Sequence, residues 1–379
     1  MRGNASIIGV GVAGLGEAPG RSAMEILGEA ALAALEDAGL TPADVDGLFV
    51  STTAHFMPTA SAAEYLGIRP RFSDSNMTGG SSFEAHLLTA AMALSAGLCD
   101  VALVAYGSNQ RTALGRLQMN NEPLPFETVY GPRYPISGYA MMAARHMHEY
   151  GTTREQFAAV AVAARSWAAL NPEAFMREPL MIEDVLGARM VSDPLGLLDC
   201  CLVTDGGGAL VLVRRERAAD APRSAVHVLG VGLAHEHRQM SQMPDVTRTL
   251  ASESGGRALA MARMERDQID LLQLYDGFTI NVIMFLEDLG FCARGEGGPF
   301  VADGRIAPGG NVPLNTNGGG LSCTHPGMYG IFLIVEAVRQ LRGEAGARQV
   351  PGLATALVHG VGGMMATQIT GVLGTDAAL

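Results

Sequence analysis

The strongest constraint on this chain is that it repeats itself, four times and in the same order. Ser6–Val12 (SIIGVGV) is echoed by His227–Leu233 (HVLGVGL). Ala34–Leu40 (ALEDAGL), followed by Val45-Asp46-Gly47-Leu48, is echoed by Ala258–Met264 (ALAMARM), followed by Ile269-Asp270-Leu271-Leu272. Asn76–Gly80 (NMTGG) returns as Asn315–Gly319 (NTNGG), and Val101–Gly107 (VALVAYG) as Thr355–Gly360 (TALVHG). One echo among Ala-, Gly- and Val-rich segments is weak, whereas four in register describe a duplicated unit. Each copy reads strand, helix, strand, glycine turn, helix, strand. Apolar runs alternating with helical patterns predict an α/β chain with mostly parallel or mixed sheets covered by helices.

The repeat fixes the domain boundaries. The first half takes residues 1–107 and, after an interruption, 199–220; the second takes 221–379. Residues 108–198 belong to neither copy. They hold Tyr134-Pro135, helical patterns over Ala140–Tyr150 and Arg154–Leu170, Asn171-Pro172, and a short element near Met181–Leu186. Long insertions in compact domains tend to carry function. This one is expected to be a loop domain covering the cleft, with a dimer-contact region as the alternative.

Composition excludes several classes of function. With 379 residues, 48% hydrophobic and 17% charged, the chain suits a packed enzyme of two fused halves. A net charge of -12 argues against nucleic acid as a partner, while leaving room for a local cationic patch at the phosphates of CoA. No apolar run is long enough to span a membrane. The N-terminus reads as the start of a strand, and the five cysteines include no CxxC pair. These features predict a cytoplasmic protein without disulfides. His235-Glu236-His237 and His146-Met147-His148 lack a third ligand at suitable spacing, so no metal is predicted. Gly318-Gly319-Gly320 has no Lys-Ser or Lys-Thr after it and is not a P-loop.

Four segments carry a family resemblance: Asn76–Ser82 (NMTGGSS), Asp199–Gly206 (DCCLVTDG), Tyr275-Asp276-Gly277-Phe278, and the Gly run ending in His325-Pro326-Gly327. A fifth, Val358–Gly363, comes after them in the same order. Together they resemble the thiolase superfamily, in particular its sterol carrier protein-type branch, over essentially the full length. The resemblance implies two pseudo-repeated halves in a layered αβαβα arrangement with an inserted loop domain. It places Met77 where the family has its nucleophilic cysteine, and a thioether has no proton to lose and forms no acyl-enzyme. It puts Tyr275 where the branch has an imidazole, keeps His325 as the active-site histidine, and sets His359 where many thiolases carry an acid–base cysteine. A helix beginning near Pro326 would put Tyr329 close to His325 on its first turn. Gly318, Gly319 and Gly320 are the candidate ligand-binding turn.

Tyr275, His325 and Tyr329 in place of Cys–His chemistry look like the thiolase-like aldolases of steroid side-chain breakdown. That resemblance implies retro-aldol cleavage of a β-hydroxyacyl-CoA, with CoA entering as part of the substrate and no separate cofactor. The enolate would be held by His325 and a backbone N–H of the glycine turns, and a tyrosine would move the protons. It implies a small partner with a zinc ribbon and an OB fold, joined to a homodimer as a heterotetramer. The apolar strand Val101–Ala105 is the candidate dimer edge. Alternatives are an acyltransferase or carbon–carbon ligase using a relocated nucleophile such as Cys323, and a non-catalytic acyl-CoA-binding subunit.

Overall fold

The computed structural model describes residues 2–115 and 126–379. The first half begins with β1 (Ala5–Gly16), α1 (Ala23–Asp37), β2 (Gly47–Val50), α2 (Pro58–Leu66), β3 (Phe72–Asp74), α3 (Ser82–Ser95) and β4 (Val101–Ser108). The insertion contributes α4 (Gln110–Leu114), α5 (Ile136–Tyr150), α6 (Arg154–Ala169), α7 (Ile182–Gly187) and a hairpin of β5 (Met190–Ser192) and β6 (Leu195–Gly196). The chain then returns to the first half as β7 (Asp205–Arg214), followed by α8 (Arg215–Ala218). The second half is β8 (Val226–His235), α9 (Ala251–Ala262), β9 (Leu271–Leu274), α10 (Thr279–Asp288), α11 (Gly297–Ala302), α12 (Gly330–Leu341), β10 (Thr355–Gly362) and β11 (Thr367–Gly374). Both helical patterns in the insertion and the short element after them are present, shifted by a few residues at their ends.

Strand order runs β3-β2-β4-β7-β1-β8-β11-β10-β9, so the second half mirrors the first about the β1–β8 seam. That seam is short, pairing Ser6 with His227 and Ile7 with Val226. In each half a parallel pair (β2 with β4, β9 with β10) is followed, toward the seam, by an antiparallel return (β7, β11). Leu314, bridged in parallel to Leu272, stands where β3 stands in the first half. Helices α3 and α12 touch each other and strands of both halves, while α1 covers the outer face of the first half and α9 that of the second. Three apolar clusters fill the gaps: one under α1, one under α9, and a large central one. The result is the five-layer αβαβα stack.

The echoed Gly-x-Gly pairs explain how the outer helices lie so close. A Cβ on Gly11 would stand 2.5 Å from the backbone of Ala30 and Ala34 in α1, and one on Gly9 would strike Ala34. A Cβ on Gly230 or Gly232 would meet α9 at Ala258 and Ser254 in the same way. Helix backbone rests directly on strand backbone, which only glycine permits.

One expectation fails here. Val101–Ala105 lies in β4, which is paired on one side to β2 and on the other to β7, and it is fully buried. Its apolar run reflects a central strand covered on both faces, not an edge. The strand at the outer margin of the first half is β3, whose Phe72 and Asp74 are half-buried and Ser73 exposed. Among the described residues, no helix is long and apolar enough to cross a membrane.

Candidate active site

Tyr275 follows β9 directly. Its N–H donates to the carbonyl of His359 in β10 (3.0 Å), and its carbonyl accepts from Asn281 Nδ2 of α10 (3.2 Å). With the backbone held at both ends, the ring projects across the sheet end toward the turn that opens α3. A Cβ on Gly80 would come within 2.6 Å of the Tyr275 hydroxyl oxygen, so that turn must be glycine for the phenol to fit.

His325 reaches the same point from the segment before α12 of the same half. Its N–H donates to Thr204 Oγ1 (2.9 Å), and its carbonyl accepts from Gln110 Nε2 (2.9 Å). Tyr106 steadies the next residues, donating to the Pro326 carbonyl (2.5 Å) and accepting from Met328 N–H (3.2 Å). The imidazole Nε2 then lies 3.0 Å from the Tyr275 hydroxyl. That hydroxyl also accepts the Tyr329 N–H (3.1 Å) and lies 3.4 Å from the Gly327 carbonyl. Burial pushes the Tyr275 phenol well up and brings His325 down to about 4, so both rest uncharged. His325 Nδ1 is buried without a partner. Tyr275 and His325 are buried, as are Tyr329 and His359.

The other candidates are placed differently. Helix α12 starts at Gly330, not near Pro326; Pro326–Tyr329 is a turn with Gly327 at φ 101°. Tyr329 therefore stacks beside His325 (centroids 6.0 Å apart, planes at 23°), and its hydroxyl points away to Asn317, 3.1 Å from Nδ2 and 3.2 Å from Oδ1. What Tyr329 offers Tyr275 is its backbone N–H. His359 lies within strand β10 rather than in a glycine loop. Both its ring nitrogens are engaged at 2.8 Å, with Thr370 and Gln368, which leaves neither for proton transfer.

Gly318, Gly319 and Gly320 do not form an open cradle. They are buried, and the N–H of Gly319 is bound to Asn317 Oδ1 (2.8 Å) and that of Gly320 to Asp276 Oδ1 (2.6 Å). Close packing explains the glycines: a Cβ on Gly319 would strike the Asp276 carboxylate, and one on Gly318 would strike Ala168 of α6. Donors already used within the protein are not free for an enolate, so the expected help from this run falls away.

The insertion is fastened to the site. Arg165 Nε of α6 donates to Ser322 Oγ (2.9 Å), and Asn171 Nδ2 donates to the Asn317 carbonyl (2.9 Å). Tyr139 of α5 stacks on Phe278 (4.4 Å, 28°) and donates to the Gly363 carbonyl (3.1 Å). Met77 is 55% exposed on the turn before α3 and fills no core gap. Cys323 is buried beside Asn171, and burial pushes its thiol up. Sequence reasoning assigns no role to Thr204, Gln110, Tyr106 or Asn317. Thr204 and Asn317 lie inside motifs already singled out, and they serve the site by holding backbone.

The C-terminal half, residues 232–375, matches the family model described as thiolase C-terminal domain-like. The chain is 38% identical over 365 residues to the steroid side-chain-cleaving aldolase of Thermomonospora curvata, covering 90% of this chain and 91% of that protein. This chain belongs to the thiolase superfamily. It is 36% identical over 361 residues to a Mycobacterium tuberculosis protein named 17-hydroxy-3-oxo-4-pregnene-20-carboxyl-CoA lyase, covering 90% and 92%. A Methanothermobacter thermautotrophicus acetyl-CoA acetyltransferase is 35% identical over 375 residues, covering 94% and 96%. Among solved structures, the Ltp2-ChsH2(DUF35) aldolase superposes with a TM-score of 0.90 at 35% identity, over 99% of this chain and 98% of that one. Within the superfamily, the resemblance to proteins named aldolase and lyase makes this chain a carbon–carbon lyase.

Proposed function

We propose that this protein cleaves the bond between the α and β carbons of a β-hydroxyacyl-CoA by a retro-aldol reaction. The proposed substrate is the CoA thioester of a steroid side chain. The observation that carries the reading is the buried 3.0 Å contact between the Tyr275 hydroxyl and His325 Nε2. Two relatives named for steroid side-chain cleavage and for a steroid carboxyl-CoA support the substrate class.

In this reading the Tyr275 oxygen takes the proton of the β-hydroxyl while its own proton passes to His325 Nε2. The carbon–carbon bond breaks, the β carbon becomes a ketone or aldehyde, and the electron pair moves into the thioester as an enolate. No free phenolate is needed, which matters because burial opposes one. The imidazolium formed beside the enolate stabilises its charge, strongly so in a site that excludes water. The proton then returns through Tyr275 to the α carbon and gives the shorter acyl-CoA.

The similarity to an acetyltransferase raises the rival of a relocated nucleophile. Burial pushes all five thiols up, Cys99 to about 11 and Cys200 and Cys292 to about 12, with Cys201 and Cys323 also well raised. None is poised as a thiolate. The test is incubation with a steroid β-hydroxyacyl-CoA in the presence of a DUF35 partner, which the solved aldolase complex suggests as the companion. The expected products are a carbonyl steroid and a shorter acyl-CoA, with the intact mass of the chain unchanged. An acyl adduct on a cysteine, or acyl transfer without cleavage, would sink the aldolase reading.

We propose further that two copies join through the open side of β3 and that the DUF35 partner, with a zinc ribbon and OB fold, completes a heterotetramer. Light scattering is expected to give a dimer of the isolated chain at micromolar concentration. A stable monomer would overturn it.

A further inference from the structure

Glu84 lies on the first turn of α3, fully buried, and neither of its carboxyl oxygens has a hydrogen-bond partner. Buried polar groups in native proteins are nearly always paired, so each exception calls for an explanation. Its surroundings supply one. The carboxyl rests against Gly330 at the start of α12 and Gly360 in β10, and a Cβ on either glycine would run into it. Gly330 follows Tyr329, whose N–H binds the Tyr275 hydroxyl, and Gly360 follows His359, whose carbonyl accepts the Tyr275 N–H. Gly80, one turn ahead of Glu84, lies against the Tyr275 ring. Three segments grip Tyr275, and all three converge on this one carboxyl.

We propose that Glu84 is a positioning residue for Tyr275: its uncharged carboxyl fills the joint between the three segments, and its ionisation opens that joint and withdraws Tyr275 from His325. A carboxylate in this place has no donor beyond its own backbone N–H and is driven toward water. The titratable groups facing the joint are Tyr329 before α12, His359 in β10 and Tyr275 after β9. All are uncharged: burial raises both phenols and lowers His359 to about 4. Burial raises Glu84 itself to about 8, and no charged group on any element packed against α3 contributes to that shift. The folded acid is therefore neutral where the unfolded one, near 4.5, is ionised. Its contribution to stability is complete below that lower value and is lost as pH rises through about 8.

This inference rests on the Tyr275-centred reading, and its test separates the two. Steady-state cleavage is followed from about pH 6 to about pH 9.5 for the wild-type protein, Glu84→Gln and Glu84→Ala. Wild-type kcat is expected to fall reversibly through about pH 8. Glu84→Gln, which cannot ionise, should hold its plateau past that point and rescue the neutral-pH activity that Glu84→Ala loses. In parallel, the ratio of the unfolding equilibrium constants of wild type and Glu84→Gln should grow about tenfold per pH unit between the ordinary value of 4.5 and about 8, and level off above it. An alkaline fall unchanged in Glu84→Gln overturns the proposal, as does a ratio that stays constant with pH. Should the wild type cleave no β-hydroxyacyl-CoA at any pH, the aldolase reading fails and the stability ratio alone decides whether the joint titrates.

Discussion

Tyr275→Phe is expected to lower kcat for carbon–carbon cleavage by about 10²–10⁴-fold, the range that a positioned proton-transfer group supplies. Phenylalanine keeps the ring that packs on Gly80 and lies edge-on to His325 and Tyr329 at centroid distances of 5.6 Å. It deletes the one oxygen that joins His325 Nε2 to the Tyr329 N–H. Leaving that N–H without an acceptor costs about 1–3 kcal/mol, so the melting temperature should fall by a few degrees while the protein stays folded. Tyr329→Phe is the internal control. Its hydroxyl meets only Asn317, and its contribution to Tyr275 is a backbone N–H that substitution retains. It should keep kcat within about tenfold of wild type, well short of the loss from removing an acid–base group. Steady-state release of the shorter acyl-CoA measures both. If Tyr275→Phe cleaves at near the wild-type rate, the phenol is scaffold and the proton relay has no carrier.

The largest effect on stability should come from Gly319→Ala. This residue sits at φ 66°, where a Cβ costs about 1–2 kcal/mol. The same Cβ would strike the Asp276 carboxylate and displace it from the N–H groups of Gly320 and Leu321. Losing those buried bonds adds about 1–3 kcal/mol. Gly67→Ala separates the two effects, because Gly67 has nearly the same φ, 69°, with open space around it. Thermal denaturation should show Gly319→Ala losing clearly more than Gly67→Ala. Equal losses would mean that the Asp276 contact carries nothing.

The repeat made most of the architecture readable. The four echoes correspond to β1 and β8, α1 and α9 with the strands after them, the two glycine turns, and β4 and β10. Tyr275 and His325 stand in motif positions that the fold brings together. Besides the later start of α12, the expectations that failed are those in which a motif suggested exposure. Val101–Ala105 read as an edge because a strand covered on both faces and a strand waiting for a partner are both apolar runs. The Gly318–Gly320 run read as a cradle because glycine serves close packing and ligand approach equally well. His359 looked like a loop residue, and no local pattern shows that Thr370 and Gln368 on the neighbouring strand take both its nitrogens. Glu84 gave no signal at all, since its meaning lies entirely in what surrounds it.

The two glycine turns lead into different paths. In the first half the turn runs straight into α3, whereas in the second the chain makes a detour, Gly320–Tyr329, before α12 begins, and that detour carries His325. The two copies thus differ: one bears His325 and the other offers a platform. The platform's gift to Tyr275 is the bare backbone of Gly80. A change of side chain at position 77, which is exposed on the approach to that turn, can therefore leave the packing of Tyr275 on Gly80 in place.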